Sequence, residues 1–237
     1  MAQSFFIWNG IDCRSKGVIM RGPAPIVRAE ERVKHVEIPG RAGDLTETEG
    51  TDIFNSYIQT ITISVRDKMN VRNIYRWLRG SGFVTFSGEP DRKQAARVIG
   101  AITLNRVSRN IDHWAGEVQF YCQPFKELLE EAVLTITTPG SVVQNLGDVA
   151  CRPRILATAS DTTMTLSANA KVLEITGLTS GNSYIIDSEI MDVLTADETS
   201  ILTANSEGEV PILEKGDNII SGSGWSSLRI ERRERYL

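Results

Sequence analysis

Only one stretch of this 237-residue chain repeats its apolar side chains at the spacing of a helix. In residues 67–82, "DKMNVRNIYRWLRGSG", they recur at i, i+3, i+4 and i+7, as Val71, Ile74, Tyr75 and Leu78. Asp67 is placed to cap the first turn, and Gly80 or Gly82 to end the last. A single amphipathic helix in so long a chain predicts a mainly β protein, with this helix packed on a sheet.

The first half of the chain otherwise shows the alternation of strands. The segment 57–67, "YIQTITISVRD", places Gln59, Ile61, Ile63 and Val65 on one face and a hydroxyl-rich set on the other, which predicts a half-buried strand. The segment "SFFIWNGID" predicts a strand that ends in an Asn9-Gly10 turn. Further strands are predicted in "IVRAEERVKHVEIPG", "GFVTFSG", "ARVIGAITLNRVSR" and "HWAGEVQFYCQPF".

The second half has short strands separated by turns every 8–12 residues, a pattern typical of a sandwich. The predicted strands are "AVLTITT", "RPRILATA", "TTMTLSA", "KVLEITG", "SYIIDSE", "SILTAN", "DNIISGSG" and "SSLRIERRERY". Between the halves, "QPFKELLEEA" (123–132) interrupts the strands with a proline and a run of charge. We therefore predict a first domain over residues 1–126, a linker over 127–132, and a jelly-roll sandwich over 133–237.

The charge of the chain is divided unevenly between these halves. Residues 1–126 carry 18 Lys and Arg against 13 Asp and Glu, whereas residues 127–237 carry 8 against 17, which gives +5 and −9. A charge of +5 is too small to identify a nucleic-acid-binding domain. We expect no signal peptide or membrane helix, and three widely spaced cysteines argue against a disulfide framework and for synthesis in a reducing compartment.

The segment 35–44, "HVEIPGRAGD", alternates like a strand and then ends in a polar turn. It lacks the glycine pattern of a phosphate-binding loop, and no helix follows to offer its N–H groups. Gly40 and Gly43 instead suit a hairpin tip, because glycine adopts positive φ without steric cost.

Catalytic and metal-binding patterns are weak. His35 and His113 each stand alone in a predicted strand, and no Cys-x-x-Cys or Gly-x-Ser-x-Gly occurs. The acidic cluster Asp187, Glu189 and Asp192 would suit a glycosidase or a Ca²⁺ site, but a solvated hairpin is favoured. The C-terminal Arg232, Arg233 and Arg235, alternating with Glu231 and Glu234, indicate an edge strand guarded by charge.

Several motifs, in order and at similar spacing, resemble those of phage distal tail proteins, often called Dit. In the first half these are "F…WNGID", "VEIPGRAGD", the single helix after a strand, and "FYCQPF". In the second half they are "VVQNLGDVACRPRILATA", "YIIDSEIMDV", "EGEVPILEKGDNIISGSG" and "LRIERRERYL". The resemblance spans essentially the whole chain and implies a ring-forming, sandwich- or barrel-like first domain and a galectin-like second domain.

The resemblance also implies a mechanical role at the virion tail tip, with synthesis in the host cytoplasm. In that family a homo-hexameric ring joins the tail tube protein to a tail-associated lysin or tail fibre hub, and DNA passes through its lumen without specific binding. Catalysis, cofactors and membrane insertion are not expected. The loop of about residues 39–55 would pack on a neighbouring subunit, and its interface residues would be Pro39, Gly40, Arg41, Gly43, Asp44, Glu47, Glu49 and Asp52.

Within that loop, Arg41 and Asp44 are the expected polar interface pair, and Glu47, Glu49 and Asp52 are candidates for an acidic channel wall. The alternative function is a carbohydrate-binding adhesion module of a tail tip or cell-surface assembly. It would need exposed aromatic rings in the second half, where only Tyr184, Trp225 and Tyr236 are available.

Overall fold

The computed structural model describes residues 4–48, 50–66, 68–107, 109, 111–199 and 202–237, with only the backbone of Met69. The chain divides between residues 129 and 130 into two compact units, and Leu237 belongs with the first. Each unit has its own cluster of buried apolar side chains. The predicted mainly β architecture with one helix is confirmed.

The first unit is one curled antiparallel sheet, a helix and a separate hairpin. Its elements are β1 Phe6–Trp8, β2 Ile11–Asp12, β3 Val18–Met20, β4 Val33–Val36, β5 Leu45–Thr48, β6 Tyr57–Arg66, α1 Lys68–Trp77, β7 Ser81–Phe86, β8 Arg92–Ile99, β9 Leu104–Arg106 and β10 His113–Leu128. The sheet has the order β2-β1-β7-β8-β10-β6-β3, and β9 also pairs with β10. In the part of the chain that the structure describes, strands β4 and β5 pair with each other and with no further strand.

The helix α1 packs on this sheet through Ile74 and Leu78, which are both buried as predicted. The prediction that Tyr75 shares this buried face is wrong, because 39% of the residue is exposed. Trp77 takes its place and stacks on Phe6, with ring centroids 5.6 Å apart. A strict i, i+3, i+4 template overlooks Trp77, although its ring lies on the flank of the buried face and packs against the core of the first unit.

The start of the helix is capped by a residue distant in sequence. The backbone N–H of Lys68 donates to Asp112 Oδ2 at 2.8 Å. This hydrogen bond, together with one from the Trp114 indole, lowers the pKa of the Asp112 carboxyl. The predicted cap, Asp67, lies outside the described residues. At the other end Gly80 has a positive φ of 76°, which suits the end of a helix.

Strand β10 continues through Pro124, where the sequence predicted an interruption. The pairing of β10 with β8 shifts register between Cys122 and Lys126. A proline has no N–H to donate to a ladder, and a bulge is a position where none is needed. The strand therefore bends at Pro124 and resumes, rather than ending there.

The second unit is a β-sandwich. Its strands are β11 Leu134–Ile136, β12 Ser141–Asn145, β13 Arg154–Ala159, β14 Thr163–Ala168, β15 Lys171–Thr176, β16 Ser183–Asp187, β17 Asp192–Thr195, β18 Ser206–Gly208, β19 Gly216–Ser223 and β20 Trp225–Glu231. They form two five-stranded antiparallel sheets, with the orders β11-β20-β13-β16-β17 and β12-β19-β14-β15-β18. Alternate side chains of both sheets enter one core, as in Ile155, Leu166, Ile175 and Leu228.

Two predictions within the sandwich are wrong. The segment "SILTAN" was predicted as a strand, but its described end, Thr203–Asn205, is a 3-10 turn. Strand β20 was predicted at a sheet edge, but it lies between β11 and β13, and it ends at Glu231 before most of the charged tail. In the first case local composition suited a strand that does not form, and in the second the distant partners β11 and β13 decided where the strand lies in its sheet.

Two buried asparagines hold the turns of the "QNLGD" and "LEKGDN" motifs. Asn145 Nδ2 donates to the carbonyl oxygens of Val149 and Leu213 at 3.0 and 3.1 Å. Asn218 Nδ2 donates to the carbonyl oxygen of Glu214 at 2.8 Å, and its Oδ1 accepts from the N–H of Glu214 at the same distance. These side chains satisfy backbone groups that the turns leave without ladder partners, so the motifs have a structural role.

Candidate assembly interface

The segment predicted as a polar loop is a hairpin, which we call the arm (residues 30–55). Strands β4 and β5 pair in antiparallel register, with Val33 opposite Thr48 and Val36 opposite Leu45. Beyond the end of this ladder, a separate antiparallel bridge between Glu31 and Phe54 pairs the two sides of the arm again. The arm therefore has regular secondary structure, and "LTET", which has a single apolar residue, is its second strand and not part of a loop.

The tip of the arm is a tight turn that depends on glycine. Gly40 and Gly43 have φ of 85° and 80°, and the N–H of Arg41 donates to the carbonyl oxygen of Ile38 at 3.1 Å. No atom lies within 4 Å of a Cβ built on either glycine, so the requirement is for backbone conformation rather than for space. The hairpin tip predicted from "PGRAGD" is present.

The residues predicted for the interface lie on the exposed part of the arm. The exposed members of that set are Pro39, Gly40, Arg41, Gly43, Asp44, Glu47 and Asp52, and Glu49 lies outside the described residues. Ile38 and Leu45 are exposed too, although they are large and apolar. A two-stranded hairpin that buries so little has marginal stability alone in water, which makes it a surface suited to a further contact.

The base of the arm, in contrast, is anchored by the segment that precedes it, residues 25–27, which we call the strap. Gln59 Nε2 donates to the carbonyl oxygen of Pro25 at 3.0 Å, and Lys126 Nζ donates to that of Val27 at 3.2 Å. The Lys126 side chain, 6% exposed, also pairs with Glu89 at 2.7 Å. Neither anchor was predicted from the sequence, although a lysine at an inward position of a strand is a usable signal. The strap fixes the direction in which the arm leaves the sheet.

The acidic cluster of the second unit is occupied by arginines of the C-terminal tail. Asp187 was predicted on a solvated hairpin, but it is buried and accepts two hydrogen bonds from Arg233, at 2.8 and 2.9 Å. Burial raises the pKa of the Asp187 carboxyl, but the hydrogen bonds and charge of Arg233 outweigh it, and the pKa is lowered overall. Glu189 pairs with Arg235 at 2.6 Å, and Asp192 accepts from the Thr203 hydroxyl. These carboxylates act as structural ion-pair and hydrogen-bond partners.

The C-terminal tail packs into the second unit and does not form the edge strand of a sheet. Arg232, only 9% exposed, pairs with Glu234 at 2.8 Å and lies 3.3 Å from Glu131. Glu234 also accepts from the N–H of Leu146 at 2.9 Å. Burial raises the pKa of the Glu131 carboxyl, opposed by hydrogen bonding and by the charge of Arg232. The alternating charges are therefore an internal network that ties the last residues to the start of the sandwich.

The histidines and cysteines, which could act as nucleophiles, bases or metal ligands, have surroundings that suit structural roles. His113 Nε2 lies 3.0 Å from Arg21 Nη2, and His35 Nδ1 lies 3.3 Å from the Thr46 hydroxyl. All three cysteines are buried, and burial raises the pKa of Cys122 and Cys151 to about 12, which keeps these thiols protonated at neutral pH. Among the described residues, no group of three or more His, Cys, Asp or Glu side chains is placed to hold a metal ion.

The aromatic residues that a sugar-binding site would need are not available as a stacking surface. Tyr184 and Trp225 are buried, and the Tyr184 hydroxyl accepts from the N–H of Thr179 at 2.9 Å. Tyr236 is half-buried and donates to Glu234. The second unit thus gives no support to the carbohydrate-binding alternative. No helix among the described residues is long and apolar enough to cross a membrane.

Together the curled sheet with one helix and an arm, followed by a ten-stranded sandwich, define a fold known from phage tail hubs. One solved structure that this chain resembles is the crystal structure of Dit (gp 19.1) of phage SPP1, described as a paradigm of the hub adsorption apparatus in phages that infect Gram-positive bacteria. The two superpose with a TM-score of 0.82 and 16% identity, over 100% of both chains. No family model and no curated protein matches the sequence. The chain has the Dit fold, which confirms the resemblance at the level of fold.

Proposed function

We propose that this chain is a distal tail protein of a tailed phage or phage-like particle. In this proposal six copies form a ring at the virion tail tip, which joins the tail tube to the host-adsorption apparatus. The observation that carries it is the likeness to phage SPP1 Dit, which extends over both units and the full length of both chains. A shared single domain would support much less, because one fold serves many functions.

The arm supports the assembly part of the proposal. A ring forms when one surface of each copy binds a different surface of the next and the rotation closes. The arm leaves the first unit on an anchored base and exposes Ile38, Leu45 and its polar tip. We assign ring formation to the first unit through this arm, with Arg41 and Asp44 as its polar contacts. The second unit then decorates the ring.

The charges of the chain fit a ring through which DNA passes without being held. A positively charged lumen would bind the phosphate backbone, since each neutralised phosphate adds affinity through counterion release. Asp52 is exposed on the arm and is our candidate for an acidic lumen wall. The tube protein and a lysin or fibre hub would bind the two faces of the ring. The role is mechanical and uses no catalytic residue or cofactor.

The test is the mass of the purified full-length chain in solution. Size-exclusion chromatography with light scattering should give six times the mass of one chain. A mass of one or two copies at all concentrations would contradict the proposed ring.

A truncated arm tests which element connects the copies. Val33 lies opposite Thr48, so residues 34–47 can be replaced by Asn-Gly, a two-residue turn that suits this register. We expect a folded monomer with an unchanged thermal midpoint, because the arm contributes little to the core. A variant that still has the mass of the parental assembly would show that the arm is not the connector.

A further inference from the structure

The exposed face of α1 is a continuous basic stripe (Lys68, Arg72, Arg76 and Arg79) around one aromatic ring. At 100° per residue, Lys68, Arg72, Tyr75 and Arg76 fall within about 100° of the helix circumference, opposite Ile74. All four are exposed, and so is Arg79, just after the helix. The stripe extends for about 16 Å along the helix.

Within the helix itself, the basic side chains of this stripe have no acidic neighbours in sequence from Lys68 to Arg79. Like charges at i, i+3 and i+4 oppose helix formation. Asp112 lies at the helix start and offsets Lys68 there. In the described part of the chain, Arg72, Arg76 and Arg79 have no carboxylate partner within ion-pair distance. A helix with this pattern gains stability when an acidic surface covers it.

The arm has the complementary composition. Residues 37–52 contain five acidic side chains against Arg41, a net charge of −4, while residues 68–79 carry +4. Val36, Leu45 and Glu47 point to one face of the hairpin, because Val36 is opposite Leu45 and side chains alternate along a strand. Lys34 is opposite Glu47 and shares that face, so the face has an exposed apolar centre with balanced charge, and the net charge of −4 belongs to the arm as a whole. The helix offers the matching set, Tyr75 with arginines around it.

We propose that the basic stripe on α1 is the receiving surface for the arm of a neighbouring copy. This inference rests on the proposed ring and names the second half of its interface. Leu45 would pack on the Tyr75 ring at the centre, and Asp44 and Glu47 would meet Arg72 and Arg76 at the rim. An aromatic centre with an arginine rim is the usual composition of an interface that carries most of its binding energy in a few residues.

The dimensions of the two surfaces agree. Strand β4, Val33–Val36, spans about 10 Å, and the arm continues beyond it to the turn at Gly40, so the hairpin can cover much of the stripe of about 16 Å. The other occupant that a basic stripe suits is duplex DNA. The aromatic centre of the stripe and the opposite charge of the arm favour a protein partner over the phosphate backbone.

The test is a charge exchange in the full-length chain, measured as the concentration at which the assembly dissociates. Arg72→Glu with Arg76→Glu should raise that concentration at least about tenfold, and Asp44→Lys with Glu47→Lys should do the same. All four changes together should restore it to within about threefold of the wild type, because the charges are exchanged. The matched control is Lys215→Glu, an exposed charge reversal in the second unit that should change nothing.

The outcomes separate this inference from the proposed function. If the wild type forms rings and neither reversed pair weakens them, the docking of the arm on the stripe is overturned, whereas the proposed ring is not. A wild-type chain that stays monomeric would overturn both. Reversed pairs that weaken the ring without rescue in combination would also contradict the inference. Duplex DNA that binds the wild type but not the Arg72/Arg76 variant, with rings unaffected, would assign the stripe to nucleic acid.

Discussion

Replacing Asp187 with alanine removes one partner of the ion pair that ties the C-terminal tail to strand β16. The Asp187 side chain is 10% exposed and its bidentate partner Arg233 is 33% exposed. Breaking a fully buried pair costs about 3–5 kcal/mol, because the remaining charge is left without a partner. Water reaches a third of the Arg233 side chain and lowers that penalty, so we expect about 2–3 kcal/mol.

Glu189→Ala is the matched control. Glu189 lies two residues away and pairs with Arg235 at 2.6 Å, but its side chain is 45% exposed, so its loss should cost less than about 1 kcal/mol. Urea unfolding of the full chain measures both variants. The Asp187 variant should move the midpoint of the second unit by about 1–2 M, and the control by less than about half of that. Equal shifts would refute the conclusion that burial makes the first pair stronger.

Three further results are expected. Leu78→Ala should destabilise the first unit by about 2–5 kcal/mol and Tyr75→Ala by less than about 1, measured by thermal unfolding; the reverse order would mean that the helix faces are misassigned. Glu89→Gln should lower the urea midpoint more than Lys126→Met does, because it leaves a buried ammonium unpaired whereas Glu89 keeps a second cationic partner. The pKa of Asp187 is lowered from 3.8, so its contribution to the free energy of unfolding is full above about pH 4 and is lost as pH falls through the folded-state pKa. Asp187→Asn should therefore reduce the loss of stability in acid. An unchanged dependence of stability on acid pH would contradict this.

Features set by local periodicity could be predicted from the sequence. The alternation of Gln59, Ile61 and Ile63 gave the buried face of β6, and the Asn9-Gly10 turn follows from the positive φ that both residues adopt. Ile74 was assigned correctly to the core for the same reason.

Features set by long-range pairing could not be predicted. The strand "LTET" has almost no apolar signal, and it becomes a strand because Val33–Val36 lies beside it. Pro124 argues against a strand locally, and only the register shift between β10 and β8 accommodates it. The carboxylate of Asp187 suggested a solvated turn because nothing in its own segment reveals Arg233, 46 residues away.

The surface of α1 shows the same limit in the candidate site. Its arginines fall outside the apolar positions of the helix and are exposed. The sequence did not reveal that these arginines form one stripe with Tyr75. The orientation of the helix, in which Trp77 stacks on Phe6 and Tyr75 is exposed, is visible only in the structure. Charge sums of +4 and −4 over two short segments are visible in the sequence, but their pairing becomes a hypothesis only when both are found on exposed elements.

The measurement that tests the central claim most directly is electron microscopy of the purified full-length protein in negative stain. Class averages should show rings with six-fold symmetry and an open lumen, and the variant with residues 34–47 replaced should give single separate particles. Dispersed monomers for the wild-type protein, or closed assemblies of a different symmetry, would contradict the account of this chain as the ring of a phage tail tip.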